Sequence, residues 1–222
     1  TDGHYCTQQG FILAPLSSWR RGPFHGWLFE ELVLASDVFG PPICVVLRHS
    51  SIVQRQLHFN PAIVIGPDWD FFTRFAEAAS FGYLDQQTCL YRVHQTNITL
   101  RTAPRKRADS LAKCREVIIK LPGFSTCTIK TQAAVFYDLL VNQRRGQFLQ
   151  QDDVTYWPEF AALPTHEQSR LLRLMAGKSL AYLAEQPEHA RWYIDHWLAR
   201  ARGLNPRCVR ARVLHTLFTA SP

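Results

Sequence analysis

Gly66-Pro67-Asp68-Trp69-Asp70-Phe71-Phe72-Thr73-Arg74-Phe75-Ala76 is the stretch that decides how this chain is read. Its apolar residues Phe71, Phe72, Phe75 and Ala76, with Ala79 beyond, recur at three- and four-residue steps, so the spacing predicts an amphipathic helix that begins at the aspartates. Carboxylates in a first helical turn are favoured by the helix dipole. The apolar run Ala62 to Ile65 immediately before places Asp68 and Asp70 at a helix mouth, where one carboxylate can act as general base if it reaches a substrate hydroxyl. The ordinary use of such residues is capping.

Working outward, Phe81 to Leu84 and Thr88 to Val93 read as strands, the second alternating Cys89, Tyr91 and Val93 against Leu90 and Arg92. Upstream, Ile43-Cys44-Val45-Val46-Leu47 is a short continuous run of β-formers, expected as a strand buried on both faces. Ser50 and Ser51 suit the cap of a short helix after it. Trp27 to Val38 has helical spacing and is stopped by Pro41-Pro42, whereas Gly10 to Gly26, rich in Ser, Pro, Arg and Gly, reads as an irregular loop. Thr1 to Tyr5 carries no strand or cap signal of its own and looks like a cut end.

Past Asn97 the texture changes. Arg101 to Arg107 is polar, basic and broken by Pro104, which suggests a linker between residues 1–100 and a helical region, 101–222. Helical patterns follow at about 107–121, 127–145, 165–186, 188–203 and 206–219, punctuated by Pro122-Gly123, Gly146, Pro187 and Gly203 with Pro206. The last three resemble degenerate tetratricopeptide-type hairpins, with Ala181, Ala184, Ala199 and Ala201 suited to close helix contacts. The expected fold class is therefore α/β with a mixed sheet, strands near 43–48, 81–85 and 88–93, followed by an all-α domain.

The 222 residues are 46% hydrophobic, enough for a real core, and no uncharged apolar run approaches the roughly eighteen residues of a spanning helix. Without a basic-then-apolar leader either, the expectation is a cytoplasmic chain. Cys6, Cys44, Cys89, Cys114, Cys127 and Cys208 lie too far apart for a zinc motif or a disulfide scaffold and read as reduced thiols. The net charge of +7 is uneven: residues 1–100 hold six Lys/Arg and eight Asp/Glu, residues 101–222 nineteen and ten. Arg200, Arg202, Arg207, Arg210 and Arg212 concentrate near the end. They form either a solvated basic face or a platform for phosphates, for a partner or for the inner face of a membrane. No aromatic interleaving or nucleic-acid motif accompanies them, so nucleic acid is not an expected partner. The chain also lacks a nucleophile elbow and a glycine-rich phosphate loop, and Asp152-Asp153 reads as loop or helix-start acid rather than a metal site.

Residues 27–99 resemble the second half of the catalytic domain of family 2 glycosyltransferases. That family often shows Gly-Glu-Asp-Trp-Asp, an aromatic, then Arg and Ala, and later Tyr-Arg-Val-His with Asn three residues on. The counterparts here are Gly66-Pro67-Asp68-Trp69-Asp70-Phe71, Arg74, Ala76, then Tyr91-Arg92-Val93-His94 and Asn97. Phe29-Glu30-Glu31-Leu32, Gly40-Pro41-Pro42 and Val45-Val46-Leu47-Arg48 are similar to the family's preceding helix, proline turn and strand. Two departures are plain: Pro67 stands where the family usually has glutamate, and Leu57-His58-Phe59-Asn60 where it has Gly-Gly-Phe-Asp.

The resemblance implies a partial GT-A fold and an inverting transfer of sugar from a nucleotide-sugar donor to a saccharide or lipid-linked acceptor. It makes Asp68 the catalytic base, Trp69 a packing or sugar-stacking aromatic, and Asp70 and Arg74 residues that orient Asp68 or each other. Arg92 becomes a phosphate partner, and His94 a ligand to Mg²⁺ or Mn²⁺ or a hydrogen-bond partner of the diphosphate. It also implies a donor-binding half, ending in an Asp-Xaa-Asp motif, that is absent from these residues, so that the isolated chain is expected to be inactive. The competing expectation is a non-catalytic helical scaffold that binds through its basic tail.

Overall fold

A computed structural model describes residues 1–146, 153–181, 183, 187–208 and 213, arranged as two compact units, Thr1–Cys127 and Thr128–Pro222. It is an α/β region followed by helices. Its first unit holds a three-stranded mixed sheet of β1 (Asp2–Cys6), β2 (Ile12–Pro15) and β3 (Gln87–Arg92) in the order β2-β1-β3. β1 runs antiparallel to β2, with His4 opposite Pro15, and parallel to β3, with Tyr5 opposite Tyr91. The opening residues, which carry no strand signal of their own, are therefore the central strand. Backbone pairing on both sides holds them, and Gly3 permits it: a Cβ there would lie 2.2 Å from the Cys89 carbonyl oxygen.

The helices of this unit are α1 (Phe29–Leu34), α2 (His49–Gln54), α3 (Pro67–Ala76), α4 (Ile98–Arg101) and α5 (Pro104–Ile119). α3 confirms the reading of its sequence. Gly66 adopts φ +83°, a left-handed conformation suited to glycine, its carbonyl accepts from Asp70 N, and Pro67 opens the helix, where its missing N–H costs nothing. Phe71, Phe72, Phe75, Ala76 and Trp69 are buried, and α3 packs against α1 on one side and α5 on the other. Phe39 meets the rings of Phe72 at 5.5 Å and Phe81 at 4.8 Å, closing an aromatic core.

Several expectations are corrected. The run at 43–48 is not a strand: Pro42–Cys44 form a 3₁₀ turn, and Val46 beyond it is 90% exposed. Phe81 makes a single bridge to Gly26 rather than a strand over 81–85. The helix expected over 27–38 shortens to α1, and the supposed loop 10–26 contains β2 and a 3₁₀ turn at Leu16–Trp19. The linker at 101–107 is replaced by the start of α5, because Pro104 at a first helical position begins a helix rather than breaking one. α5 packs on α3, so the joint between units falls after Cys127 and not after residue 100.

α2 ends in a Schellman motif: Leu57 N donates to Ile52 O at 3.1 Å and Gln56 N to Val53 O at 3.1 Å. The left-handed residue this motif needs is Gln56, at φ +50°. A non-glycine residue in this region loses about 1–2 kcal/mol, less the extra chain entropy of about 0.5–1 kcal/mol that glycine gives up on folding. Gln56→Gly is therefore expected to stabilise the protein by about 0.5–1 kcal/mol in urea unfolding; a drop in midpoint would show that the Gln56 side chain contributes more than its backbone strain.

In the second unit, α6 (Ile129–Gly146), α7 (Pro158–Ala161), α8 (Thr165–Leu180) and α9 (Pro187–Leu204) account for the helical tail. α8 and α9 pack against each other in opposite directions, tied by a Ser169 hydroxyl that donates to Ala201 O at 2.9 Å. Of the alanines expected at helix contacts, Ala201 is buried, Ala181 and Ala199 are exposed, and Ala184 lies outside the described residues; Ala176 and Ala190 take the close positions instead. Of the helix expected over 206–219, residues 206–208 form a turn rather than a helix, and 209–212 and 214–219 lie outside the described residues. Among the described residues no helix is long and apolar enough to cross a membrane.

Candidate functional site

The first turn of α3 separates the conspicuous residues by what holds them. Trp69 is 4% exposed, donates through Nε1 to Leu32 O at 2.7 Å, and lies beneath the Arg115 guanidinium, 4.3 Å from the ring centroid. Its role is packing. Asp70 is fully buried, and its Oδ2 accepts from Arg74 Nη2 at 2.6 Å and Nε at 3.2 Å, the pairing that their i,i+4 spacing allows. Arg74 also donates to His58 O at 2.7 Å, which ties α3 to the turn before it. Asp70 Oδ1 is buried without a hydrogen-bond partner among the described residues.

Asp68 differs from its neighbours. It is partly exposed, and among the described residues its side chain makes no hydrogen bond or ion pair. The turn that carries it is nonetheless fixed, because Cys114 Sγ lies 3.5 Å from Gly66 O and 3.8 Å from Ile65 O. Burial first, then the Asp70 and Asp68 carboxylates, push the Cys114 thiol up to about 12 against the opposing charge of Arg115. At neutral pH it is therefore an inert thiol rather than a nucleophile.

The second motif is a separate cluster built around Asn97. Its Oδ1 accepts from His94 N at 2.8 Å, while its Nδ2 donates to Arg92 O at 3.2 Å and reaches the Tyr91 hydroxyl at 3.4 Å. One amide thus fastens Tyr91, Arg92 and His94 into a single turn, a physical reason for the spacing Tyr-Arg-Val-His-Xaa-Xaa-Asn. His94 Nδ1 is hydrogen-bonded to Thr96 Oγ1 at 2.7 Å, which leaves Nε2 as the nitrogen available to a ligand. The Arg92 Nη1 donates to Gln8 O at 2.9 Å, bracing the end of β3. No hydrogen bond or ion pair among the described residues joins this cluster to Asp68, Asp70 or Arg74.

A divalent cation needs several hard ligands, and among the described residues no three His, Cys, Asp or Glu side chains gather to hold a metal. His94 alone is not a site for Mg²⁺ or Mn²⁺.

Two clefts lie elsewhere. In the first unit, a cavity of about 500 Å³ is lined by Arg20, Phe24, Val45, Arg48, Phe75 and Tyr83, among others. In the second unit, one of about 560 Å³ is lined by Tyr156, Trp192, Asp195, His196, Ala199 and Arg200. There Asp153 caps the turn at Val154–Tyr156, accepts from Thr155 N, and lies 3.2 Å from His196 Nε2; Trp192 stacks on the His196 ring at 5.0 Å. Asp153 is thus a helix-start acid, one of the two uses its sequence suggests, and Asp152 lies outside the described residues. Arg200 sits over the Tyr156 ring and donates to Thr155 O, so it is used within the unit. Arg202 and Arg207 are exposed, and Arg210 and Arg212 lie outside the described residues.

Neither cleft was legible in the sequence. Arg20 belongs to no motif, and Asp153 and His196 stand more than forty residues apart. Compared with models of known families, with curated proteins and with solved structures, the chain matches none.

Proposed function

We propose that residues 1–100 form the acceptor-side half of an inverting glycosyltransferase of the GT-A type, similar to family 2. The carrying observation is the first turn of α3, which fastens Trp69, Asp70 and Arg74 into the protein and leaves the Asp68 carboxylate without a partner among the described residues. A general base must be ionised, held in place and still able to accept a proton from its substrate. Asp68 is held in place and left free to accept a proton: its backbone is anchored through Gly66 and Cys114, and among the described residues its carboxylate is not engaged in a salt bridge.

In this reading Asp68 removes the proton from an acceptor hydroxyl as that oxygen forms a bond to the anomeric carbon of the donor sugar. The bond from that carbon to the diphosphate breaks on the opposite face, its electron pair leaves with the diphosphate, and the anomeric configuration inverts. His94 Nε2 hydrogen-bonds a diphosphate oxygen. Arg92, already braced against Gln8, adds positive charge beside it. The reading keeps Mg²⁺ or Mn²⁺ as the expected cofactor, held mainly by ligands other than these residues, with His94 Nε2 as the nitrogen here that would reach the ion or the diphosphate. It also assigns the nucleotide sugar and a glycan or lipid-linked acceptor as partners. Contact with an anionic membrane face would fall to Arg202 and Arg207, since Arg200 is committed elsewhere.

The test is transfer by the protein expressed in its native coding context, with UDP- and dTDP-sugars as donors, and the product anomer assigned by NMR. Inversion is expected. A product of retained configuration would remove the single-base mechanism, and hydrolysis without transfer would remove the acceptor site. The competing reading, a non-catalytic binding protein, is favoured by one observation: Tyr156 and Trp192 are 68% and 60% exposed beside the cleft of the second unit. It predicts no turnover with any donor.

A further inference from the structure

Cys44 and Cys89 stand 45 residues apart in sequence, yet their sulfurs lie 3.6 Å from each other, within reach of a thiol hydrogen bond. Both are free thiols. Cys44 closes the 3₁₀ turn Pro42–Cys44: its N–H donates to Pro41 O at 3.0 Å, and its own carbonyl accepts from the Thr1 hydroxyl, also at 3.0 Å. Cys89 belongs to β3, where it pairs with Gly3 of β1. Its sulfur occupies the space that glycine leaves, since a Cβ on Gly3 would fall 2.6 Å from Sγ. A hydrogen-bonded turn and a strand pairing therefore set the two thiols against each other. Cys114 and Cys127 differ, their sulfurs being turned to the carbonyls of Gly66 and Gly123.

Cys44 is 2% exposed, whereas Cys89 is half-buried, so a dissolved oxidant reaches the Cys89 sulfur first. Burial, and next the hydrogen bond and charge of Cys89, hold the Cys44 thiol well above its ordinary range, while the Arg20 charge opposes them by favouring the anion. At neutral pH Cys44 keeps its proton, and alone it would be as inert as Cys114. What sets it apart is a second sulfur in contact with it. The bond length of a disulfide is about 2.0 Å, which leaves the pair about 1.6 Å to close.

We propose that Cys44 and Cys89 are an oxidative modification site, forming a reversible disulfide within the folded first unit when a hydroperoxide is present. The Cys89 sulfur attacks one peroxide oxygen: an S–O bond forms, the O–O bond breaks, and the other oxygen leaves, protonated, as water or an alcohol. That sulfur, now a sulfenic acid, has given two electrons to the peroxide. Cys44 Sγ then bonds to Cys89 Sγ as the S–O bond breaks, and the departing hydroxide takes the Cys44 proton to become water. The cross-link ties the Pro42–Cys44 turn to β3. None of the residues assigned to transfer takes part, so this reaction and the transferase reading stand or fall separately.

The test treats the full chain with hydrogen peroxide in native buffer, alkylates it in urea and maps its cysteines by peptide mass spectrometry. Cys208, half-buried in the second unit, is replaced by Cys208→Ser so that it cannot link two molecules. Two thiols are expected to be lost to alkylation, with Cys44 and Cys89 recovered in one linked peptide that dithiothreitol separates. Closing a loop of this length in the native geometry is expected to lower the unfolded fraction about 100-fold, read as a higher urea midpoint. Cys44→Ala removes the second sulfur, and Cys89 is then expected to stop at the sulfenic acid, trapped by dimedone. Linkage of other cysteines, sulfinic acid on Cys89 with Cys44 still free, retention of every thiol, or a cross-linked protein with a lower urea midpoint than the reduced one would each overturn the proposal.

Discussion

Asp68→Asn is expected to lower sugar transfer by about 10²–10⁴-fold, the usual worth of a positioned general base, with the affinity for the nucleotide sugar unchanged. The fold should hardly notice. Asp68 has no partner among the described residues, and losing a carboxylate from a helix's first turn costs about 0.3–1 kcal/mol of dipole interaction. Asp70→Asn is the informative contrast, two positions along the same turn. Asp70 is fully buried and receives two hydrogen bonds from Arg74, so neutralising it weakens a charge-assisted pair inside the protein. The expected loss is about 1–3 kcal/mol of stability, read from urea unfolding, with transfer by the folded fraction largely retained. If the two variants exchanged these signatures, Asp70 would be the reactive carboxylate and Asp68 a capping acid. Full turnover by Asp68→Asn would remove Asp68 from the mechanism.

How far the sequence could be read depended on whether the deciding interaction was local. α3 was legible because its cues lie within eleven residues: glycine before proline, acids in the first turn, aromatics at helical spacing. The turn around Asn97 was legible as a pattern, and the reason for the pattern is one amide that bonds Tyr91, Arg92 and His94. The strands were not, because β-structure depends on a partner. Ile43 to Leu47 has the composition of a buried strand but finds no ladder among the described residues, whereas Asp2–Cys6 has a poor composition and pairs on both edges. Pro104 is ambiguous for a related reason: whether proline ends a segment or starts a helix is decided by the residues C-terminal to it, and here they build a sixteen-residue helix packed on α3. Arg20 and Arg115 were invisible, since a single arginine in a polar stretch reads as solvated until its long-range carbonyl partners are known.

Trp69→Ala is expected to remove about 3–5 kcal/mol of stability, enough to leave a domain of ordinary stability near its unfolding limit. The indole fills the space between α1, α3 and α5, and its N–H serves the Leu32 carbonyl near the end of α1. Arg115 completes the arrangement from α5. Its Nη1 donates to Val33 O at 2.5 Å and its Nη2 to Leu34 O at 2.9 Å, so it satisfies the last carbonyls of a six-residue helix that has no further turn to accept them. The indole face beneath it adds about 0.5–2 kcal/mol of cation–π attraction, toward the upper figure because the pair is desolvated. Trp69 and Arg115 therefore act as one unit, and their effects should not add: Trp69→Ala with Arg115→Met is expected to fall short of the sum of the single losses by about 1 kcal/mol or more. Trp69→Phe should recover most of the packing but not the Leu32 bond, and so lie about 1–3 kcal/mol below the parent. Strict additivity in urea unfolding would show that the stacked geometry contributes little and that α1 is held by area alone. A coupling near the expected size would show that the indole and the guanidinium hold the end of α1 as one unit.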